Sequence, residues 1–102
     1  MADLLVDTDV FIDHLRGARP FHPKEHRVHY SVITRAELLA GATAEGPVHT
    51  LLSPFREIAV NRDIAERAGG IRRQTGIRLP DALIAATALV AGLALATRNR
   101  RD

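Results

Sequence analysis

Leu4-Leu5-Val6 is an unbroken apolar run that stops at a carboxylate, Asp7, and a helical pattern begins directly behind it. A half-exposed antiparallel strand alternates apolar and polar residues, so a continuous run reads as a strand covered on both faces, as in a parallel sheet. The pattern then repeats. From about Asp9 to Arg16, Val10, Phe11 and Leu15 recur at helical spacing, and Gly17 stands where a helix ends. Pro20 and Pro23 mark residues 17–27 as loop, and Val28–Ile33 is a second strand. A helix over Thr34–Ala42 is punctuated by Gly41, Gly46 and Pro47, and an amphipathic piece around Val48–Phe55 leads to a third strand at Glu57–Val60. Asn61 is a good cap for a helix reaching about Gln74, with Gly76 at its end; Gly69-Gly70 within it reads either as a hinge or as a point of close packing. Pro80, at a first helical position, opens an Ala-rich helix to Ala91, Gly92 closes it, and Leu93–Thr97 is the fourth strand. This alternation predicts an α/β domain with about four parallel strands flanked by helices on both faces.

A chain of 102 residues supports one such domain, spanning 1–102. With no cysteine, disulfides, thiolate zinc sites, iron–sulfur clusters and cysteine nucleophiles are all excluded. That composition suits a reducing compartment, the cytoplasm. Asp3 and Asp7 interrupt the N-terminal apolar stretch, so no secretory signal is expected. The longest uncharged run, Ala82 to Thr97, has 16 residues, short of the ~20 needed to span a membrane. Charge is uneven: residues 1–51 carry 5 basic and 7 acidic groups, residues 52–102 carry 9 and 5. Thirteen of the fourteen basic residues are Arg, which favours bidentate contacts to phosphate or carboxylate. Three Phe and one Tyr do not make a base-stacking platform. His22, His26 and His29 fall close together, but Pro20 and Pro23 keep any helix from aligning the first two and no partner completes a zinc pattern, so exposed histidines are the plainer reading.

Open parallel sheets place their sites beyond the carboxyl ends of the strands. Asp7 ends the first strand, Glu37 follows the second, Asp81 opens the helix before the fourth, and Asn99 and Asp102 lie just past the fourth. Singly, each acid has a plain structural role: Asp7 or Asp9 as a helix cap, Glu37 completing a capping box from Thr34, Asp81 complementing a helix dipole. Gathered together, carboxylates about 4 Å apart repel by roughly 4 kcal/mol at an effective dielectric of 20 and require a cation. Oxygen ligands without Cys or a His pair point to Mg²⁺ or Mn²⁺.

Four blocks carry these acids: Leu5-Val6-Asp7-Thr8-Asp9-Val10-Phe11-Ile12-Asp13, Ser31-Val32-Ile33-Thr34-Arg35-Ala36-Glu37-Leu38-Leu39-Ala40-Gly41, Leu79-Pro80-Asp81-Ala82-Leu83-Ile84-Ala85-Ala86-Thr87-Ala88 and Leu95-Ala96-Thr97-Arg98-Asn99-Arg100-Arg101-Asp102. Together they resemble the PIN-domain ribonucleases, specifically the VapC toxins of bacterial VapBC toxin–antitoxin pairs. The resemblance implies that Asp7, Glu37 and Asp81 hold divalent metal, Mg²⁺ or Mn²⁺, and that Asp102 joins them as a catalytic acid. Thr8, Asp9, Thr97 and Asn99 would support the site; Asn99 stands where many PIN domains have Asp. The implied function is a type II toxin that hydrolyses RNA phosphodiesters with a metal-activated water. Arg98, Arg100 and Arg101 would meet the RNA backbone. The implied partners are a VapB-type antitoxin, RNA and a second copy of the chain, with no membrane. The chain departs from the family between Leu15 and Tyr30, where relatives have another helix, and after Asp102, where they continue.

Two other readings compete. Departures of this kind suit a catalytically impaired module that chiefly docks an antitoxin. Asp7-Thr8-Asp9 is also similar to the nucleophile loop of haloacid-dehalogenase-type phosphatases, with Asp7 attacking phosphorus; Phe11 and the lack of any Lys other than Lys24 count against it.

Overall fold

A computed structural model of the chain describes residues 2–98. Four parallel strands, β1 (Asp3–Val6), β2 (Arg27–Ser31), β3 (Arg56–Ile58) and β4 (Ala94–Ala96), lie in the order β3-β2-β1-β4. Between them run α1 (Thr8–Leu15), α2 (Val32–Ala40), α3 (Glu45–Leu52), α4 (Arg62–Thr75) and α5 (Leu79–Ala91). The register sets Leu4 beside Val28 on one side and Ala94 on the other.

The unbroken apolar run of β1 is explained by burial on both faces. Val6, with Val28 and Tyr30 of β2, packs under Phe11 of α1, Leu38 of α2, and Val48 and Leu52 of α3. The neighbouring Leu5 points the other way, against Ile84 and Ala88 of α5. α4 joins that second layer through Ile64 and Ala68, which meet Ala82 and Ala86. The small side chains of α5 bring the two helices close. Among the described residues, no helix is long and apolar enough to cross a membrane.

Helix ends follow their local chemistry, with two corrections. Ser31, not Thr34, caps α2: its Oγ accepts from the Ile33 amide at 3.0 Å. Val32 and Ile33 are therefore helical rather than the end of a strand, and Thr34 lies inside α2 instead of opening a capping box with Glu37. Pro80 is the second residue of α5, not the first. Gly76 and Gly92 both adopt left-handed backbone, φ +76° and +70°, just beyond α4 and α5.

Residues 17–26 contain no helix. They fold back on α1 instead: the amides of Ala18 and Arg19 both donate to the Asp13 carbonyl, and the Phe21 amide donates to His14 Nδ1 at 2.9 Å. The Phe21 ring then stands edge-on to Phe11 and Phe55.

Candidate acidic site at the strand ends

β1 and β4 are neighbours, and their carboxyl ends are stitched together. The Asp7 amide donates to the Ala96 carbonyl at 2.9 Å, and Thr97 Oγ1 lies 3.3 Å from Asp7 Oδ2, to which it donates. The other carboxylate oxygen, Oδ1, caps α1 by accepting from the Thr8 amide at 2.7 Å. Asp7 is thus the cap that the sequence allowed, and its second oxygen is held as well. Partial burial pushes the Asp7 carboxyl above the usual range, and the charges of Asp9 and Asp81 add to the rise. Asp81 lies in the first turn of α5.

Glu37 reaches the same region by way of Thr8. Thr8 Oγ1 donates to Glu37 Oε1 at 2.8 Å and lies 2.9 Å from Thr34 Oγ1. A hydroxyl has one proton, so with that of Thr8 given to Glu37, Thr34 is the donor of the second bond. The relay Thr34 to Thr8 to Glu37 ties α2 to the start of α1. Thr34 is fully buried and Thr8 nearly so. The sequence offered Thr34 only as the opening of a capping box with Glu37, and the same spacing of three puts both on one helical face.

Arg98 does something other than wait for a phosphate. Its Nη1 donates to Asp13 Oδ1 at 2.8 Å, its Nε lies 3.8 Å from Asp9 Oδ2, and its amide lies 3.4 Å from Asp9 Oδ1. Asp9 and Asp13, one helical turn apart on α1, thus hold the residue that follows Thr97. Asp13 is buried and was not singled out in the sequence; the four-residue spacing of the two acids was its only signal. Of the remaining expected site residues, Asn99, Arg100, Arg101 and Asp102 lie outside the described residues.

The donor set is all oxygen and acidic, which suits a hard divalent ion. Among the described residues, however, no three acidic or histidine side chains are grouped closely enough to hold a metal. Asp7 at the end of β1 and Asp81 in the first turn of α5 are carboxylates of the kind Mg²⁺ takes, an ion that keeps several waters and needs only one or two of them. Next to Thr97, whose hydroxyl is bonded to Asp7, a cavity of about 550 Å³ opens between α1, the 17–26 loop and β4.

Comparison with known proteins agrees with this architecture. A PIN domain model matches residues 4–101. Ribonuclease VapC10 of Mycobacterium tuberculosis is 44% identical over 109 residues, covering 94% of this chain and 82% of that protein. A toxin–antitoxin complex from Klebsiella pneumoniae contains a chain 35% identical, with a TM-score of 0.76 over 97% of this chain and 88% of that one. A VapBC-5 structure from Mycobacterium tuberculosis gives 26% identity and a TM-score of 0.72, covering 98% and 87%. With a PIN domain model matching residues 4–101 and a relative 44% identical over 94% of this sequence, the chain belongs to the PIN-domain family, in its VapC group.

Proposed function

We propose that this protein is the toxin of a type II toxin–antitoxin pair and cleaves RNA by metal-dependent hydrolysis of its phosphodiester bonds. The observation that carries the reading is the placing of Asp7 at the carboxyl end of β1, with both of its oxygens held by the Thr8 amide and the Thr97 hydroxyl and Glu37 tied to the same place through Thr8. Partial burial raises the proton affinity of that carboxylate, and a cation bound there would relieve the cost of its charge. The name of the 44% identical relative supports the reaction, and the Klebsiella complex supports the partner.

Asp7 and Asp81 would be the direct ligands of Mg²⁺ or Mn²⁺, with Glu37 as third acid and Asp102 as fourth. When bound, the ion supplies neutralisation of phosphate charge and a more acidic water. The chain's own side chains set the geometry: Thr97 and the Thr8 amide fix both oxygens of Asp7, and Thr8 orients Glu37. Arg100 and Arg101, with whatever charge Arg98 retains beyond its two carboxylates, would meet the RNA backbone. A VapB-type antitoxin, a second copy of the chain and the cytoplasm complete the proposal.

A second reading is favoured by one finding, the lack of a three-acid group among the described residues. On it the protein binds its antitoxin but cuts poorly. Purified protein given fresh Mg²⁺ or Mn²⁺ and total RNA, with Asp81→Ala alongside, separates the two. Cleavage that disappears in Asp81→Ala upholds the nuclease; no cleavage, or cleavage equal in both, overturns it.

A further inference from the structure

We infer that the cavity between α1, the 17–26 loop and β4 is a nucleoside subsite, taking one base of the RNA next to the bond that is cut. The inference rests on the ribonuclease reading and sharpens it. Four observations lead there.

The first is position. The cavity takes in Thr97 and Arg98 at the end of β4, and Thr97 is the residue whose hydroxyl is bonded to Asp7. A nucleotide strand with a phosphate at the acids would have its adjoining nucleoside within reach.

The second is construction. The outer wall is the 17–26 loop, and it is held in place. Two amides donate to the Asp13 carbonyl, a third donates to His14 Nδ1, and the Phe21 ring is seated between Phe11 and Phe55. The inner wall is held just as firmly, because Asp13 grips Arg98 at 2.8 Å. Such bracing makes a preformed concavity, the usual state of a small-molecule site.

The third is chemistry. Val10, Phe21 and Leu95 give an apolar floor for a planar ring, Arg19 gives donors at its edge, and the Arg98–Asp13 pair gives that edge a fixed polar wall. The Arg19 cation suits the phosphate that travels with every nucleoside. Lipids and long apolar peptides fit this mixed lining less well. The fourth is size: about 550 Å³ falls in the range of small-molecule pockets, roughly 300–1,000 Å³.

The test separates binding from catalysis. The full chain, labelled with ¹⁵N and kept in EDTA, is titrated with each of the four ribonucleoside 5′-monophosphates while amide shifts are followed. At least one nucleotide should saturably shift the Val10, Phe21 and Leu95 amides. Arg19→Ala, at an exposed position outside the core, should weaken that binding about tenfold, as expected for one lost charged contact. In parallel, parent and Arg19→Ala are given RNA of random sequence with Mg²⁺, and the base preference beside the cut is read. A preference that falls about tenfold in the variant supports the subsite. Absence of saturable shifts, shifts confined to α4 and α5, or equal affinity in Arg19→Ala overturns it even if the parent cuts RNA. Saturable binding in the cavity without any RNA cleavage overturns instead the ribonuclease reading, and with it the place of the nucleoside beside a cut bond.

Discussion

Thr8→Val removes one hydroxyl at constant shape and breaks the relay from Thr34 to Glu37. Thr8 is 6% exposed and Thr34 0%, so the Thr34 hydroxyl is left in the interior without the acceptor it had. An unsatisfied buried donor costs about 1–3 kcal/mol. Glu37 also loses a bond, but it is only partly buried and water replaces much of what is lost. The single substitution should therefore cost about 2 kcal/mol, which for a domain of this size lowers Tm by roughly 8–16 °C. Adding Thr34→Val removes the orphaned donor as well, and an exchange of both partners for apolar groups is close to neutral. The double variant should recover at least about half of the loss, a coupling of about 1 kcal/mol in a double-mutant cycle. Urea unfolding followed by circular dichroism gives all four stabilities. RNA cleavage behaves differently, since Glu37 is unheld in both the single and the double variant and neither should regain activity. A Thr8→Val protein as stable as the parent would refute the relay; so would a double variant no more stable than the single.

Other perturbations address other contacts. Asp7→Asn keeps a good helix cap but removes a charge that burial, Asp9 and Asp81 disfavour. Because the folded pKa is raised, the parent holds its full contribution from this group below the unfolded value near 4 and loses it as pH climbs through the folded value. Metal-free Asp7→Asn should therefore melt at or above the parent's temperature at pH 7, with the gap closing toward pH 4; a lower melting temperature at pH 7 would contradict the sign. Divalent metal should raise the parent's Tm and leave that of Asp7→Asn unmoved, as measured with and without EDTA. Phe11→Ala opens a hole among Phe21, Tyr30 and Phe55 and should cost about 3–5 kcal/mol by denaturant unfolding. Arg98→Ala strands buried Asp13, whereas Asp13→Asn leaves a half-exposed arginine. The first should be the more damaging, by roughly 1–2 kcal/mol after discounting the solvent around Arg98, and equal losses in the two variants would argue against the pair.

What could be read from the residues alone was whatever local chemistry decides. Leu4-Leu5-Val6 announced a strand buried on both sides, and Gly76, Gly92 and Asn61 marked helix ends because their conformational and capping preferences act within a few residues. The start of α2 was misread for an equally physical reason. Val32 and Ile33 favour strands by propensity, but Ser31 offers an acceptor to the Ile33 amide, and one cap outweighs two β-branched side chains. The shift places Thr34 one turn further into the helix, where its hydroxyl meets Thr8 rather than its own backbone. Asp13 and Arg98, 85 residues apart, found each other only through the crossover that puts β4 beside β1. No periodicity in the chain announces a partner at that distance.

The sheet order explains why acids, threonines and cavity share one place. From β1 the chain moves outward through β2 to β3 with α1, α2 and α3 on one face; from β3 it crosses back under α4 and α5 to β4 on the far side of β1. Connections therefore diverge between β1 and β4, and helices leave that crevice uncovered. A polar group placed there keeps contact with water, so Asp7 can carry a costly charge without unfolding its neighbours. The same divergence leaves β4 without a helix on the α1 face, and there the 17–26 loop bends over to wall the cavity. Stability argues against two coupled carboxylates at the crevice, since an apolar or amide side chain would spare the protein their repulsion. On the proposed reading their place at the strand ends, where the connections diverge, serves a cation and the phosphate it neutralises, a role added to the capping that Asp7 performs for α1.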